Sequence, residues 1–156
     1  MSNYQASIRW QRDQHPFTDK RYSRVHAWHF DGAAVVRASA SPQIVPLPWS
    51  DAAGVDPEEA FVASLASCHL LWFLDLAAQA GWVVDEYHDD AEGVLARNAD
   101  RQLAMTIVTL RPAVRFGGPR RPDVAEHARL HHAAHASCFI ANSVKTEVRC
   151  EPVLVD

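Results

Sequence analysis

Residues 56–81 read DPEEAFVASLASCHLLWFLDLAAQAG, and this stretch decides how the rest of the chain is organised. We predict a long helix here, because Asp56 can cap it, Pro57 suits the first helical position and Glu59 can complete a capping box. Gly81 can adopt the left-handed conformation that ends a helix. Apolar residues lie on almost every side, so the helix should be buried in a core or a subunit interface. Cys68 lies in its middle and is the candidate reactive residue.

Alternating apolar and polar residues predict strands on both sides of this helix. Three strands should precede it, at 4–10, 22–30 and 33–40, with a hairpin turn at Asp31–Gly32. Two strands at 82–98 and 103–116, a second helix at 122–136 and a last strand at 144–155 should follow it. The predicted order is βββ-α-ββ-α-β, an α+β architecture in one domain over residues 1–156.

Composition excludes several classes of function. The 156 residues carry a net charge of −4, and acidic and basic residues are interspersed, which argues against a nucleic-acid partner. We expect no signal segment and no membrane span, because His69 and Asp75 interrupt the longest apolar run. Three cysteines without a secretion signal make a disulfide framework unexpected. The chain is therefore predicted to be cytoplasmic, with reduced thiols.

Three groups of residues could carry chemistry, and the first is a pair of cysteines. Cys68 lies in the central helix and Cys138 just after the second helix. Two small buried core residues would look the same, since free cysteine is often buried. Cys150, in an alternating strand, is interpreted as a core residue.

The second group is a cluster of histidines near the end of the second helix. His131 and His135 share a helical face, His132 lies between them, and Cys138 could join them as a metal ligand. The only further candidate ligand, His69, lies on the other helix. The helix dipole explains histidines at this position equally well.

The third group is Glu58 with Glu59 at the start of the central helix. Both could merely serve the helix terminus. A thiolate buried at Cys68 would nevertheless need a nearby cation, because burial alone raises the pKa of a thiol. An arginine held between Glu58 and Cys68 would meet that need.

The stretches at both cysteines resemble a known family. Residues 57–81 are similar to the central helix of the OsmC/Ohr family, the osmotically inducible and organic hydroperoxide resistance proteins, whose reactive cysteine follows a Pro-Glu pair as Cys68 follows Glu58 by ten residues. AHASCFIANSV, residues 134–144, is similar to the segment with the second family cysteine. TLRPAVRF, residues 109–116, and the strand with Tyr22–Ser23–Arg24 resemble one branch of that family.

The resemblance implies a thiol-dependent peroxidase that prefers organic hydroperoxides. Cys68 would be the peroxidatic residue and Cys138 the resolving one, and an external dithiol, often a lipoyl group, would reduce their disulfide. Glu58 and an N-terminal arginine would activate the thiolate. The N-terminal candidates are Arg9, Arg12, Arg21, Arg24 and Arg37, and we choose Arg24 because its strand face also carries aromatic residues. The family's assembly implies an intertwined homodimer with both long helices between its sheets. We expect no cofactor and no bound metal.

Details of the expected site follow from its neighbours. His69, Trp72 and Phe61 should form an aromatic substrate pocket beside Cys68. Phe139 stands where the family commonly has a proline after the second cysteine, which affects the geometry of the resolving loop. Two alternatives remain open: a protein of this fold that binds a small apolar ligand without turnover, and a metal-binding protein that uses the histidines and cysteine.

Overall fold

The chain is an α+β protein, as predicted, and the computed structural model describes residues 1–155. The elements in chain order are β1 (Ala6–Arg9), β2 (His26–Phe30), β3 (Val35–Ala38), α1 (Pro57–Gln79), β4 (Val83–Asp89), β5 (Glu92–Arg97), β6 (Leu103–Leu110), β7 (Pro112–Gly117), α2 (Val124–Ser137), a 3-10 turn (Ala141–Ser143), β8 (Glu147–Cys150) and β9 (Val153–Val155). Contacts divide the chain into two compact units, 1–60 and 61 onward, and α1 runs across the division. The single domain and the intertwined dimer stay predictions.

The N-terminal unit is built on an antiparallel sheet with the order β1-β2-β3. The turn predicted at Asp31–Gly32 joins β2 to β3, and the Phe30 N–H closes it by donating to the Ala34 carbonyl at 3.0 Å. Arg37 of β3 pairs with Asp51 at 2.6 Å. This pair fastens the loop that leads into α1.

Each of the three strands predicted after α1 is divided into two. The pairs β4 and β5, β6 and β7, and β8 and β9 are consecutive in the chain, yet the members of each pair lie in different sheets, ordered β4-β7-β9 and β5-β6-β8. Within each of these three pairs, the chain therefore crosses directly from one sheet to the other. Alternation of apolar residues continues across the β6–β7 and β8–β9 crossings, so the sequence pattern there shows one long strand, whereas residues 85–90 at the β4–β5 crossing are mostly polar.

Arg111 connects the three crossings. Its backbone N–H donates to the Asp89 carboxylate at 2.7 Å, and its guanidinium lies 3.2 Å from Glu92 and 3.6 Å from Glu151. Asp89 ends β4, Glu92 begins β5, and Glu151 separates β8 from β9. One side chain thus joins the points where the strands change sheets, and Pro112 begins β7 directly after it.

Both ends of α1 confirm the helix signals in the sequence. The Asp56 carboxylate accepts a hydrogen bond from the Glu59 N–H at 2.8 Å, and the Glu59 carboxylate accepts one from the Asp56 N–H at 3.1 Å. These reciprocal bonds form the predicted capping box. Gly81 follows the helix with φ +77°, the left-handed conformation expected there.

Only one stripe of α1 is buried within the single chain. Leu65 packs against Val108 and Leu110 in one apolar cluster, and Phe73 packs in a second cluster with residues of β7 and α2. Other positions are uncovered, and Leu71 is 65% exposed. By length and mean hydropathy α1 could cross a membrane, which corrects the expectation that no segment reaches that threshold. Its packing in two clusters is that of a core helix.

Helix α2 begins two residues later than predicted and ends one residue later, at Val124 and Ser137. Asp123 caps it, because its carboxylate accepts a hydrogen bond from the Glu126 N–H at 2.8 Å. Leu130 and Ala134 pack in the cluster that contains Phe73. Cys138 therefore lies immediately beyond a helix fixed at its start and along its buried face.

Candidate functional site

The two cysteines singled out in the sequence meet in the C-terminal unit. Cys68 lies in the middle of α1 and is partly exposed, whereas Cys138 caps the C-terminal end of α2 and is 1% exposed. The Cys138 N–H donates to the His135 carbonyl at 3.2 Å, and its Sγ accepts from the Ala141 N–H at 3.4 Å. Both are free thiols. Backbone hydrogen bonds on both sides hold Cys138 in place.

Burial and the neighbouring thiol set the protonation of Cys138. Burial, followed by the neighbouring Cys68 thiol, raises the pKa of the Cys138 thiol to about 11, while the Ala141 N–H opposes the shift. Cys138 is therefore protonated at neutral pH, and Cys68 lies close enough to act on its pKa. The more exposed Cys68 is the thiol that a reagent from solution would reach first.

Aromatic residues flank the pair in an arrangement that differs in part from the predicted pocket. Trp72 lies one turn after Cys68 and contacts Phe139 edge to face, with ring centroids 5.4 Å apart. Phe139 is 66% exposed, so it lies at the surface beside Cys138. Phe61 packs against the apolar cluster around Leu65. Trp72 and Phe139 are the rings beside the thiols.

Arg24 lies in an aromatic groove of the N-terminal unit. Its guanidinium stacks over the Tyr22 ring, 3.9 Å from the ring centroid, and donates to the carbonyls of Tyr22 and Lys20. Trp10 and Phe17 pack against the same Tyr22 ring. The groove has a volume of about 430 Å³, and its other lining residues are Ile8, His26, Ser39, Ala40 and Pro57.

The expected ion pair between Arg24 and Glu58 is absent from the salt bridges of residues 1–155. Backbone carbonyls and an aromatic ring hold the guanidinium instead. These partners fix its position but leave its positive charge without a carboxylate. Such a cation in an apolar groove is suited to receive an anion.

His69 belongs to a buried histidine cluster and not to the predicted substrate pocket. It is 0% exposed, and its Nε2 lies 3.0 Å from Nδ1 of His131 and 3.7 Å from Sγ of Cys150. Nε2 of His131 lies 3.1 Å from Nε2 of His127, one turn earlier on α2. A row of three imidazoles therefore runs from His69 on α1 to His127 on α2, and Cys150 lies beside its His69 end.

Burial keeps these imidazoles neutral. It lowers the pKa of His69 to about 4, with the charge of His135 as a smaller cause, and lowers that of His131 to about 3, with His127 and His69 as smaller causes. Burial also lowers the pKa of His127. Burial, followed by the charges of Asp89 and Glu151, raises the pKa of the Cys150 thiol to about 12.

The group of possible metal ligands differs from the one considered in the sequence. His132 is exposed and is not part of the cluster. His69, His131 and Cys150 converge, and they are the only such group among the described residues. Cys150, interpreted from the sequence as a plain core residue, was missed. Spacing along α2 could have indicated His127 beside His131, but no local pattern could place a β8 side chain against them.

Comparison with known proteins identifies the family. A family model described as OsmC-like protein matches residues 50–152, so the chain belongs to the OsmC-like family, as the resemblance indicated. An OsmC-like protein of unknown function from Vibrio cholerae is 49% identical, with a TM-score of 0.97 over 98% of this chain and 100% of that chain. Comparison with curated proteins found no match.

More distant structures share the fold. An OsmC-like protein from Mycoplasma pneumoniae is 15% identical, with a TM-score of 0.75 over 99% of both chains. An organic hydroperoxide resistance protein from Bacillus subtilis is 16% identical, with a TM-score of 0.68 over 99% of this chain and 98% of that chain. At these identities the comparison establishes the fold alone.

Proposed function

We propose that this protein is a thiol-dependent peroxidase that reduces organic hydroperoxides with Cys68 and Cys138. The observation that carries the proposal is the closeness of the two thiols, since the partly exposed Cys68 helps to raise the pKa of the buried Cys138. The chain belongs to the OsmC-like family, and a protein of the same fold is named an organic hydroperoxide resistance protein. Both findings support the same chemistry. Interspersed charges and reduced thiols fit a cytoplasmic protein.

The proposed reaction begins at Cys68. Its thiolate attacks the outer oxygen of the hydroperoxide, the O–O bond breaks, and the alkoxide leaves and takes up a proton as the alcohol. Cys68 is then a sulfenic acid. The Cys138 sulfur attacks the Cys68 sulfur, and the thiol proton leaves with the sulfenic hydroxyl as water. An external dithiol, such as a lipoyl group on a protein, reduces the disulfide by thiol exchange and is itself oxidised.

Arg24 and Glu58 are proposed as the residues that activate Cys68. A thiolate among apolar groups requires a cation, and arginine stays charged where lysine can lose its proton. Arg24 can supply this cation, since its guanidinium has no carboxylate partner among residues 1–155. Glu58, at the start of α1, would orient that guanidinium during the reaction.

A turnover assay tests the proposal. Purified protein should consume tert-butyl or cumene hydroperoxide with dihydrolipoamide as the reductant, and should consume hydrogen peroxide more slowly. Cys68→Ser should abolish turnover, whereas Ser67→Ala, the exposed neighbour on α1, should retain it. Lack of turnover with every peroxide and dithiol tried, or full turnover by Cys68→Ser, would contradict the proposal.

The groove around Arg24 favours one alternative, a binding protein for a small apolar ligand with an anionic group. A volume of about 430 Å³ suits a small molecule, and Trp10, Phe17 and Tyr22 supply apolar walls. Binding of a fatty acid without peroxide turnover would support this alternative. Fatty-acid binding that competes with peroxide turnover would instead assign the groove to the peroxidase.

A further inference from the structure

Three atoms with metal-binding chemistry converge in the core of the C-terminal unit. His69 Nε2, His131 Nδ1 and Cys150 Sγ all lie within 4.8 Å of one another. Two of the separations are 3.0 Å, between the imidazole nitrogens, and 3.7 Å, from the sulfur to His69 Nε2. Around one tetrahedral Zn²⁺, nitrogen ligands lie roughly 3.3 Å apart and a nitrogen and a sulfur roughly 3.6 Å apart, given the usual bond lengths. The nitrogen–nitrogen distance is about 0.3 Å shorter than this geometry and the nitrogen–sulfur distance about 0.1 Å longer, so small shifts of the side chains would accommodate the ion.

Packing holds the three residues in place on separate elements. His69 is on α1, His131 on α2 and Cys150 at the end of β8, which pairs in parallel with β6. His69 is 0% and His131 is 2% exposed, and the His131 ring stacks on Phe73 with centroids 4.2 Å apart. A ligand set on rigid, packed elements is preorganised, so little conformational freedom is lost when an ion binds.

A second contact orients one ligand as metal sites usually require. His131 Nε2 lies 3.1 Å from His127 Nε2, and a proton on the His131 atom would be donated to His127. That tautomer leaves a lone pair on His131 Nδ1, the atom that faces His69 and Cys150. A metal-binding histidine commonly donates its other ring N–H to a neighbour in this way.

The cluster is incompletely hydrogen-bonded without an ion. One proton on His69 Nε2 would have to serve both His131 Nδ1 and Cys150 Sγ, while Nδ1 of His69 is buried with no hydrogen-bond partner. Moving that proton to His69 Nδ1 would free Nε2 as a ligand. Nδ1 of His135 is likewise buried without a partner and lies near enough for its charge to act on His69.

We propose that His69, His131 and Cys150 form a binding site for one thiophilic divalent cation, best suited to Zn²⁺. Two imidazoles and a thiolate favour zinc or cobalt over magnesium or calcium, which prefer oxygen ligands. Binding replaces the Cys150 thiol proton, which is released to solvent, and a water would fill the fourth position. The ion would join α1, α2 and β8, and it uses neither Cys68 nor Cys138. The site is therefore separate from the residues of the proposed peroxidase.

Cobalt binding tests the site directly. Chelator-treated full-length protein, kept reduced, should give an intense near-ultraviolet sulfur-to-cobalt band that saturates at one Co²⁺ per chain and is displaced by Zn²⁺. Cys150→Ser should remove the band, and Cys138→Ser should leave it unchanged. His131→Gln should weaken cobalt binding at least about tenfold, a loss of about 1.4 kcal/mol. His132→Gln, the exposed neighbour, should not weaken it.

Thermal unfolding is the second measurement. It separates a variant that has lost the metal site from one that simply folds poorly. Zn²⁺ should raise the midpoint temperature of the wild type and of His132→Gln with increasing concentration, but not that of Cys150→Ser. Circular dichroism without metal establishes that Cys150→Ser is folded. No cobalt band in the wild type, a band that persists in Cys150→Ser, or one lost only in Cys138→Ser would overturn the proposal.

Discussion

Nε2 of His69 lies 3.0 Å from Nδ1 of His131, and this contact joins the middle of α1 to the middle of α2. The two rings are nearly parallel, 3° apart, with centroids 5.3 Å from each other. His69 directly follows Cys68, and His131 precedes Cys138 by seven residues on α2 and its cap. The buried histidine pair therefore holds together the two helices that carry the candidate thiols.

Metal-free protein should lose stability as the pH falls from about 6.5 towards 4. Burial lowers the pKa of His69 to about 4 and of His131 to about 3, whereas an unfolded histidine titrates near 6.5. Because the unfolded chain then binds protons that the folded chain does not, the stabilisation is complete above pH 6.5 and is lost as pH falls through that window. In this window the free energy of unfolding should fall by up to about 1.4 kcal/mol per pH unit for each histidine.

Urea unfolding between pH 4 and 8, in the presence of a chelator, measures that slope. His131→Gln should make it shallower, and His132→Gln should leave it as in the wild type, because His132 is exposed. Equal slopes in the wild type and His131→Gln would show that another group controls the acid sensitivity.

Gly93→Ala should destabilise the C-terminal unit by about 1–3 kcal/mol. A Cβ at Gly93 of β5 would lie 2.5 Å from Cγ2 of Val62 on α1 and would also collide with the end of the Met105 side chain. Met105 can move, but the branched Val62 cannot without shifting the helix. Gly32→Ala is the control, because nothing lies within 4 Å of its Cβ position. Denaturant midpoints that are equal for the two variants would contradict this account.

Arg24→Gln should slow both peroxide reduction and alkylation of Cys68 at pH 7, by about tenfold or more. A charge-assisted contact between the guanidinium and the thiolate contributes at least about 1.4 kcal/mol, and losing it slows the reaction about tenfold. Glu58→Gln should have a smaller effect, and the double variant should be little worse than Arg24→Gln alone, since both residues act through one guanidinium. Arg21→Gln, an exposed neighbour, is the control. An alkylation rate unchanged in Arg24→Gln would assign the role to another arginine.

The protein should sediment as a homodimer at micromolar concentration, with a buried interface of roughly 2,000 Å² or more. Large apolar residues are uncovered in the single chain, both on α1 and in the N-terminal unit, among them Leu71, Tyr4, Ile8 and Phe17. Such exposed apolar area is typical of an interaction surface. Leu71→Asn should shift sedimentation towards the monomer. A wild type that is a folded monomer would refute the assembly.

The parts of the structure predicted from sequence are those that local chemistry determines. The capping box of Asp56 and Glu59, the left-handed Gly81 and the turn at Asp31–Gly32 each depend on residues within four positions of one another. The fold class and the family follow from these signals together with the motif around Cys68.

The parts that the sequence did not reveal depend on contacts between distant segments. Arg111 joins three sheet crossings through acidic residues up to 40 positions away, and at two of them, β6–β7 and β8–β9, apolar alternation runs through without interruption. Cys150 lies 81 positions from His69, its neighbour in space. His69 itself was assigned to a pocket because it adjoins Cys68 in sequence, yet successive helical residues face different directions.

Thiol counting and peptide mapping after a single addition of peroxide test the central claim most directly. One equivalent of cumene hydroperoxide, added to the reduced protein without dithiol, should remove two thiols per chain and yield one disulfide between Cys68 and Cys138. Cys138→Ser should lose only the Cys68 thiol, which excess peroxide then over-oxidises, whereas Ser137→Ala should behave as the wild type. A bridge that contains Cys150, or no loss of thiols while the peroxide remains, would contradict the account.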